Sequence, residues 1–240
     1  MNQLHRRDIV RTGSLLGAAI LLAGCQSTSR SRPEVTPAPE SSDPDRWAYR
    51  SHKPEWVDDY LKGAPSSSVT GVIPRSAWTR SGPNLSDTNP MSGISRITVH
   101  HEGSTPFAAT AQSAVAQRLE STRRAHVNAN GWADIGYHYV VDPSGRVWEA
   151  RPVALQGAHV KDNNEHNLGI MVLGNFEEQT PTPAALKSLN DFVVRMMGKS
   201  RVPVARVYTH QELKPTACPG RSLQRHMESA RSRGGAIARA

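Results

Sequence analysis

The sequence predicts a single α/β domain over residues 71–230, carried behind an export segment and a linker. Two observations carry this. From Gly71 onward, short apolar or β-branched runs alternate with helix-periodic stretches, the pattern of strands mixed with helices. The chain has 240 residues, and at roughly 150 residues per domain that leaves room for one domain and its appendages. Apolar residues make up 37%, enough for a packed core but a little under the usual globular share. Part of the chain is therefore expected outside that core.

Each element has its own signal. Arg96 to His100 is β-branched and ends at a histidine pair, as a short strand would. Thr105-Pro106 pairs an N-cap residue with a first-turn proline and predicts a helix to about Val127. Tyr137–Val141 and Arg146–Glu149 flank Asp142-Pro143-Ser144-Gly145, a hairpin signal. Leu168–Leu173 is an unbroken apolar run, as in a buried central strand. Thr182-Pro183 opens another helix, with Leu186, Leu189, Val193 and Met196/Met197 on one face and Gly198 as terminator. Arg206–Thr209 predicts a strand, then a proline-bearing loop to Gly220 and a last, arginine-rich helix. Residues 231–240 read as a basic tail.

The N-terminus reads as an address. Arg6, Arg7 and Arg11 precede Ser14–Gly24, eleven residues that end Leu22-Ala23-Gly24 and are followed by Cys25. That run is too short to span a bilayer, which takes about 18 or more apolar residues. A basic start, a short apolar run and a small-residue site form an export signal. Leu-Ala-Gly-Cys resembles the lipobox of bacterial lipoproteins, which implies cleavage after residue 24 and acylation of Cys25. The arginine pair resembles, less specifically, a twin-arginine signal. Residues 1–25 are thus a lipoprotein-type signal, and 26–46, rich in Ser, Pro and charge, a disordered tether. Residues 47–70, with Trp47, Tyr49, Trp56 and Tyr60 around a short helix at Pro54–Lys62, form an extension of unassigned role. The expected location is the envelope side of a membrane, held by lipid.

Charge excludes one class of partner. There are 29 Lys and Arg against 21 Asp and Glu, a formal +8. Residues 221–240 hold five arginines (Arg221, Arg225, Arg231, Arg233, Arg239) and one glutamate, whereas 51–220 hold 17 basic and 15 acidic residues. A nucleic-acid-binding domain would carry its basic charge clustered on the fold. No nucleic-acid partner is expected, and the domain is expected to be monomeric.

Three side chains suit zinc: His100 at a strand end, His210 at another, and Cys218 eight residues later between Pro215 and Pro219. Zinc takes imidazole nitrogen and thiolate sulfur, and catalytic sites keep three protein ligands and one open position. Alternation along a strand sends His100 and His101 to opposite faces, so only one of them can face a given site. With ten histidines in the chain, spacing leaves a structural reading of each open. There are two cysteines, which excludes a four-Cys structural site and, once Cys25 is acylated, a Cys2His2 site as well. Acylation of Cys25 would leave Cys218 without a disulfide partner, and an unpaired thiol in an exported protein needs a role.

A resemblance joins these pieces. Val72-Ile73-Pro74-Arg75-Ser76-Ala77-Trp78, Ile97-Thr98-Val99-His100-His101 and Gly131-Trp132-Ala133-Asp134-Ile135-Gly136-Tyr137-His138-Tyr139 are similar to the peptidoglycan recognition proteins. So are Gly145–Pro152, Gly157-Ala158-His159, Leu168–Phe176 and Thr209-His210 through Pro215-Thr216-Ala217-Cys218-Pro219-Gly220, in order across 71–225. That family shares its fold with the phage lysozyme-type (type 2) amidases, which implies a central mixed sheet flanked by helices, with a surface groove. Its catalytic members are zinc N-acetylmuramoyl-L-alanine amidases.

The resemblance implies zinc ligands at His100, His210 and Cys218, a catalytic phenol at Tyr137 and a hydrogen-bonding partner at Thr216. It also implies substrate contacts from Gly131, Trp132 and Arg151, the pattern of members that prefer stems with meso-diaminopimelate. His159 is expected to line the groove, and His138 to point away from it by alternation. Glu102 departs from the small hydroxyl residue common after the histidine pair. The implied reaction is hydrolysis of the amide between muramic acid and L-alanine, with peptidoglycan or muropeptides as substrate. The alternative is a non-catalytic lipoprotein that binds and senses the same fragments. Such members often lack the cysteine ligand, and Cys218 is present.

Overall fold

A computed structural model describes residues 55–57 and 69–239. The strands are β1 (Val72–Ile73), β2 (Arg96–His101), β3 (Tyr139–Val141), β4 (Val147–Glu149), β5 (Asn167–Val172) and β6 (Val207–Thr209). The helices are α1 (Gln112–Asn130), α2 (Pro183–Ser200) and α3 (Arg221–Arg231). The strands form one sheet in the order β1-β4-β3-β5-β2-β6. Only β3 and β4 pair antiparallel; the other neighbours are parallel. This is the mixed sheet of the expected α/β class.

Strand alternation divides the core in two. Ile97, Val99, Tyr139, Val141, Leu168, Ile170 and Val172 face α2 and α3, meeting Leu189, Phe192, Val193, Met196, Leu223 and Met227. Val140, Trp148 and Met171 face the other way, against Val115 and Leu119 of α1. β5 is buried along its whole length because it lies in the middle of the sheet with a layer on each face. The hairpin turn is closed by Asp142. Its carboxylate accepts from the Ser144 and Arg146 amides at 2.8 and 3.1 Å and from Trp148 Nε1 at 2.9 Å.

Three boundaries differ from the sequence reading. Thr105-Pro106 does not open α1. Gln179 instead holds Phe107 in a loop, accepting from its N–H at 2.6 Å and donating to its carbonyl at 3.0 Å. Those bonds satisfy the backbone without a helix. α2 starts as expected, with the Thr182 hydroxyl capping Ala185, but runs past Gly198 to Ser200 and ends on a left-handed Arg201. Residues 232–239 are no free tail: the chain turns back on α3, Ile237 donates to the Ala230 carbonyl and its side chain is buried in the main core. At the other end, Val69 already belongs to that core.

The signal, Cys25, the tether 26–46 and most of the 47–70 extension, including most of the helix expected at Pro54–Lys62, lie outside the described residues. Among the described residues, no helix is long and apolar enough to cross a membrane.

Candidate metal centre

β2 and β6 are neighbours with Val99 opposite Thr209. In a parallel pair the next residues along share a face, which sets His100 beside His210; their ring centroids are 4.8 Å apart. The loop after β6 then returns the thiol. Gln211 N–H donates to the Cys218 carbonyl at 2.9 Å, and Cys218 N–H donates to the Thr216 hydroxyl oxygen at 3.2 Å. Donor atoms of His100, His210 and Cys218 all lie within 4.8 Å of one another. His210 is anchored from behind. The Glu212 carboxylate accepts from Thr209 N–H at 2.7 Å and from Arg231 at 2.8 Å, tying this turn to α3.

The set fits a soft divalent cation. Two imidazoles and one thiol are the ligand types zinc prefers, and three donors leave a fourth position open. Burial holds the Cys218 thiol up at about 12 and keeps His100 and His210 neutral by lowering their pKa values. A bound cation reverses the thiol's preference, because a coordinating thiol is deprotonated. His101 takes no part. It points to the opposite face, where Nδ1 accepts from Phe176 N–H at 3.2 Å and burial lowers its pKa to about 4.

Tyr137 stands beside the centre, its ring 5.1 Å from that of His100. Its hydroxyl has no hydrogen-bond partner among the described residues. Burial first, then the charges of Cys218 and Glu102, push the phenol pKa well above its usual value, so it keeps its proton. Glu102, the departure from the family pattern, is paired with Arg118 at 2.7 Å and Thr122 at 3.2 Å.

Two residues expected along the groove have buried side chains. His159 is buried beneath His100, its Nδ1 3.0 Å from His100 Nε2 and its Nε2 3.0 Å from the Asn167 carbonyl. Arg151 is also buried. It donates to the carbonyls of Ile135, Gln156 and Asp134 at 2.8, 2.7 and 3.1 Å, which leaves two N–H groups for any ligand. Gly131 and Trp132 border the same cleft as Arg151. Gly131 has φ 66° and terminates α1, and Trp132 packs 4.7 Å from His126.

His138 does not point away. Residues 137 and 138 precede the regular part of β3, and both rings reach His159, at 6.4 and 5.7 Å between centroids. His138 is structural: Nε2 donates to the Leu155 carbonyl at 3.0 Å and Nδ1 accepts from Gly169 N–H at 2.9 Å. The sequence reading missed Asn167, Glu212 and the role of Gly169. A glycine inside a buried six-residue strand was the available signal, since it marks close approach of another group.

Fold and site together define an α/β protein with a three-donor candidate metal centre beside a protonated phenol. The sequence profile of the N-acetylmuramoyl-L-alanine amidase family matches residues 89–221. The chain belongs to that family. It is 27% identical over 173 residues to peptidoglycan-recognition protein SD of Drosophila melanogaster, covering 70% of this chain and 91% of that one. It is 29% identical over 172 residues to an N-acetylmuramoyl-L-alanine amidase of Sus scrofa, covering 70% of this chain and 28% of that one. Among solved structures it resembles peptidoglycan recognition protein LE in complex with tracheal cytotoxin, a monomeric diaminopimelic acid-type peptidoglycan. There the TM-score is 0.57 and identity 25%, over 63% of this chain and 88% of that chain.

Proposed function

We propose that this protein is a zinc-dependent N-acetylmuramoyl-L-alanine amidase acting on peptidoglycan or muropeptides, exported and anchored by lipid at Cys25. The observation that carries the enzymatic reading is the convergence of His100, His210 and Cys218 beside Tyr137. Its relatives carry both names, amidase and recognition protein, and the complete donor set favours the amidase. His100, His210 and Cys218 would hold the ion. A zinc ion there would supply a Lewis acid that acidifies water and polarises a carbonyl.

The chain's own part is positioning and charge stabilisation. The reaction adds water across the amide: hydroxyl to the lactyl carbonyl carbon, hydrogen to the departing L-alanine nitrogen. Negative charge develops on the carbonyl oxygen. Tyr137, held protonated by burial, is a preorganised donor for that charge, and such donors act most strongly where water is excluded. Thr216 contributes by bracing the Cys218 loop.

Substrate stems with meso-diaminopimelate are the proposed preference. Gly131, Trp132 and Arg151 border one cleft, and the two unengaged N–H groups of Arg151 suit the extra carboxylate. Equal wild-type rates on matched diaminopimelate and lysine stems would end that preference. For the amidase reading, stoichiometric zinc in the full chain and its loss in Cys218→Ala are expected by elemental analysis. Undiminished zinc in the variant would remove Cys218 from the site. For the anchor, Cys25→Ser should move the protein from the detergent to the aqueous phase; unchanged retention would point to an uncleaved helix.

A further inference from the structure

We propose that His159 is a positioning residue that fixes the tautomer of His100, leaving His100 Nδ1 as the free lone pair facing Cys218 and His210. The inference rests on the metal reading above and adds a role for a residue buried against His100.

The chain of hydrogen bonds has one consistent direction. A carbonyl oxygen can only accept, so His159 Nε2, 3.0 Å from the Asn167 carbonyl, carries the hydrogen. In a neutral ring the other nitrogen is then a lone pair, and His159 Nδ1 accepts. Its partner at 3.0 Å is His100 Nε2, which must donate. That leaves His100 Nδ1 bare, 3.6 Å from Cys218 Sγ. The backbone of β5 thus selects, through one intermediary ring, which nitrogen of His100 faces the centre.

The surroundings are built around this ring. A Cβ on Gly157 would lie 2.4 Å from His159 Cδ2, and one on Gly169 would lie 2.6 Å from the same atom. Neither contact is possible for a real side chain, so both positions need glycine for the imidazole to sit between them. Asn164 Oδ1 accepts from the His159 and Val160 amides at 2.8 Å each, fixing the approach of the loop. Asn167, whose carbonyl sets the direction, is itself held: its Oδ1 accepts from Thr98 at 2.8 Å and its Nδ2 donates to the Asn163 carbonyl at 2.7 Å. The Gly169 amide is taken by His138, so the ring cannot turn toward that group instead.

Long-range proton–nitrogen correlation spectra of the full chain, labelled at histidine and stripped of metal by a chelator, read the tautomers directly. The expected result is hydrogen on Nε2 and a lone pair on Nδ1 for both His100 and His159. Hydrogen on Nδ1 of His100 overturns the inference. This measurement needs no variant, so it decides even if a substituted chain does not fold.

The second arm is zinc affinity by chelator competition. His159→Ala should weaken binding about 10–100-fold. His159→Asn puts an acceptor oxygen near the place of Nδ1 and should recover most of that loss. Unchanged affinity in His159→Ala, or no recovery in a folded His159→Asn, overturns the positioning role. A wild-type chain that takes up no zinc would overturn the metal reading instead, with the tautomer of His100 still measured.

Discussion

His100 Nδ1 lies 3.6 Å from Cys218 Sγ across 118 positions of sequence. The proximity is built from register, not from a local motif. β2 and β6 pair side by side, and one backbone bond from Gln211 to the Cys218 carbonyl folds the loop back over them. A change that loosens this loop should therefore act on metal affinity before it acts on the fold. Thr216→Ala removes the acceptor for the Cys218 amide and is expected to weaken zinc binding by a few-fold, as one neutral hydrogen bond contributes about 0.5–1.5 kcal/mol. Chelator competition on the two chains measures it.

Tyr137→Phe removes one hydroxyl that has no partner among the described residues and leaves a ring packed by His100, His126 and His159. Zinc content and melting temperature should stay at wild-type values. Turnover of a muropeptide should fall about 10²–10³-fold, the usual loss for one oxyanion donor. A wild-type rate would make the phenol structural.

Arg151→Ala should act first on stability. It strips donors from the carbonyls of Asp134, Ile135 and Gln156, and each buried acceptor left unpaired costs about 1–3 kcal/mol. At the low end of that range, about 3 kcal/mol for the three acceptors, a fall in melting temperature of at least roughly 6–12 °C is expected for a domain of this size. Arg151→Lys should not rescue it, since an ammonium group cannot reach three diverging acceptors. A melting temperature unchanged in Arg151→Ala would mean that these bonds are not holding the cleft.

Acid should destabilise the metal-free chain earlier than its carboxylates alone would dictate. Burial lowers His126 and His138 from 6.5 to about 4 each. Folding keeps both neutral, while the unfolded chain binds protons below about 6.5. The sign follows: full stability above pH ~6.5, lost as pH falls toward 4. Each such group steepens the slope by at most about 1.4 kcal/mol per pH unit. Urea unfolding between pH 7 and 4 reads this slope, and a flat profile would contradict the burial of these rings.

Much of the site was legible because short-range chemistry marks it. The alternation of His100 and His101, the hairpin at Asp142 and the proline-bounded thiol all follow from local rules, and they hold in the structure. What was not legible depends on partners far along the chain. Thr105-Pro106 carries a good helix-start signal, but Gln179, 72 positions from Phe107, takes up that segment's backbone groups. The resemblance implies groove positions for Arg151 and His159, and Arg151 does border the cleft, but the burial of both side chains was not legible. Their acceptors are backbone carbonyls, which no side-chain pattern announces. Ile237 is the one large apolar residue in a tail of Arg, Ser, Gly and Ala, and only the return of the chain on α3 explains its burial.

The central claim is bond cleavage between muramic acid and L-alanine by the centre at His100, His210 and Cys218. Mass spectrometry of a defined muropeptide, incubated with the zinc-loaded full chain, tests it most directly. The account predicts a free stem peptide with an N-terminal L-alanine and a muramic acid with a free lactyl carboxylate, one water gained between them, and no products with Cys218→Ala. Binding of the intact muropeptide without cleavage by a zinc-loaded wild-type chain would contradict it and identify a recognition protein instead.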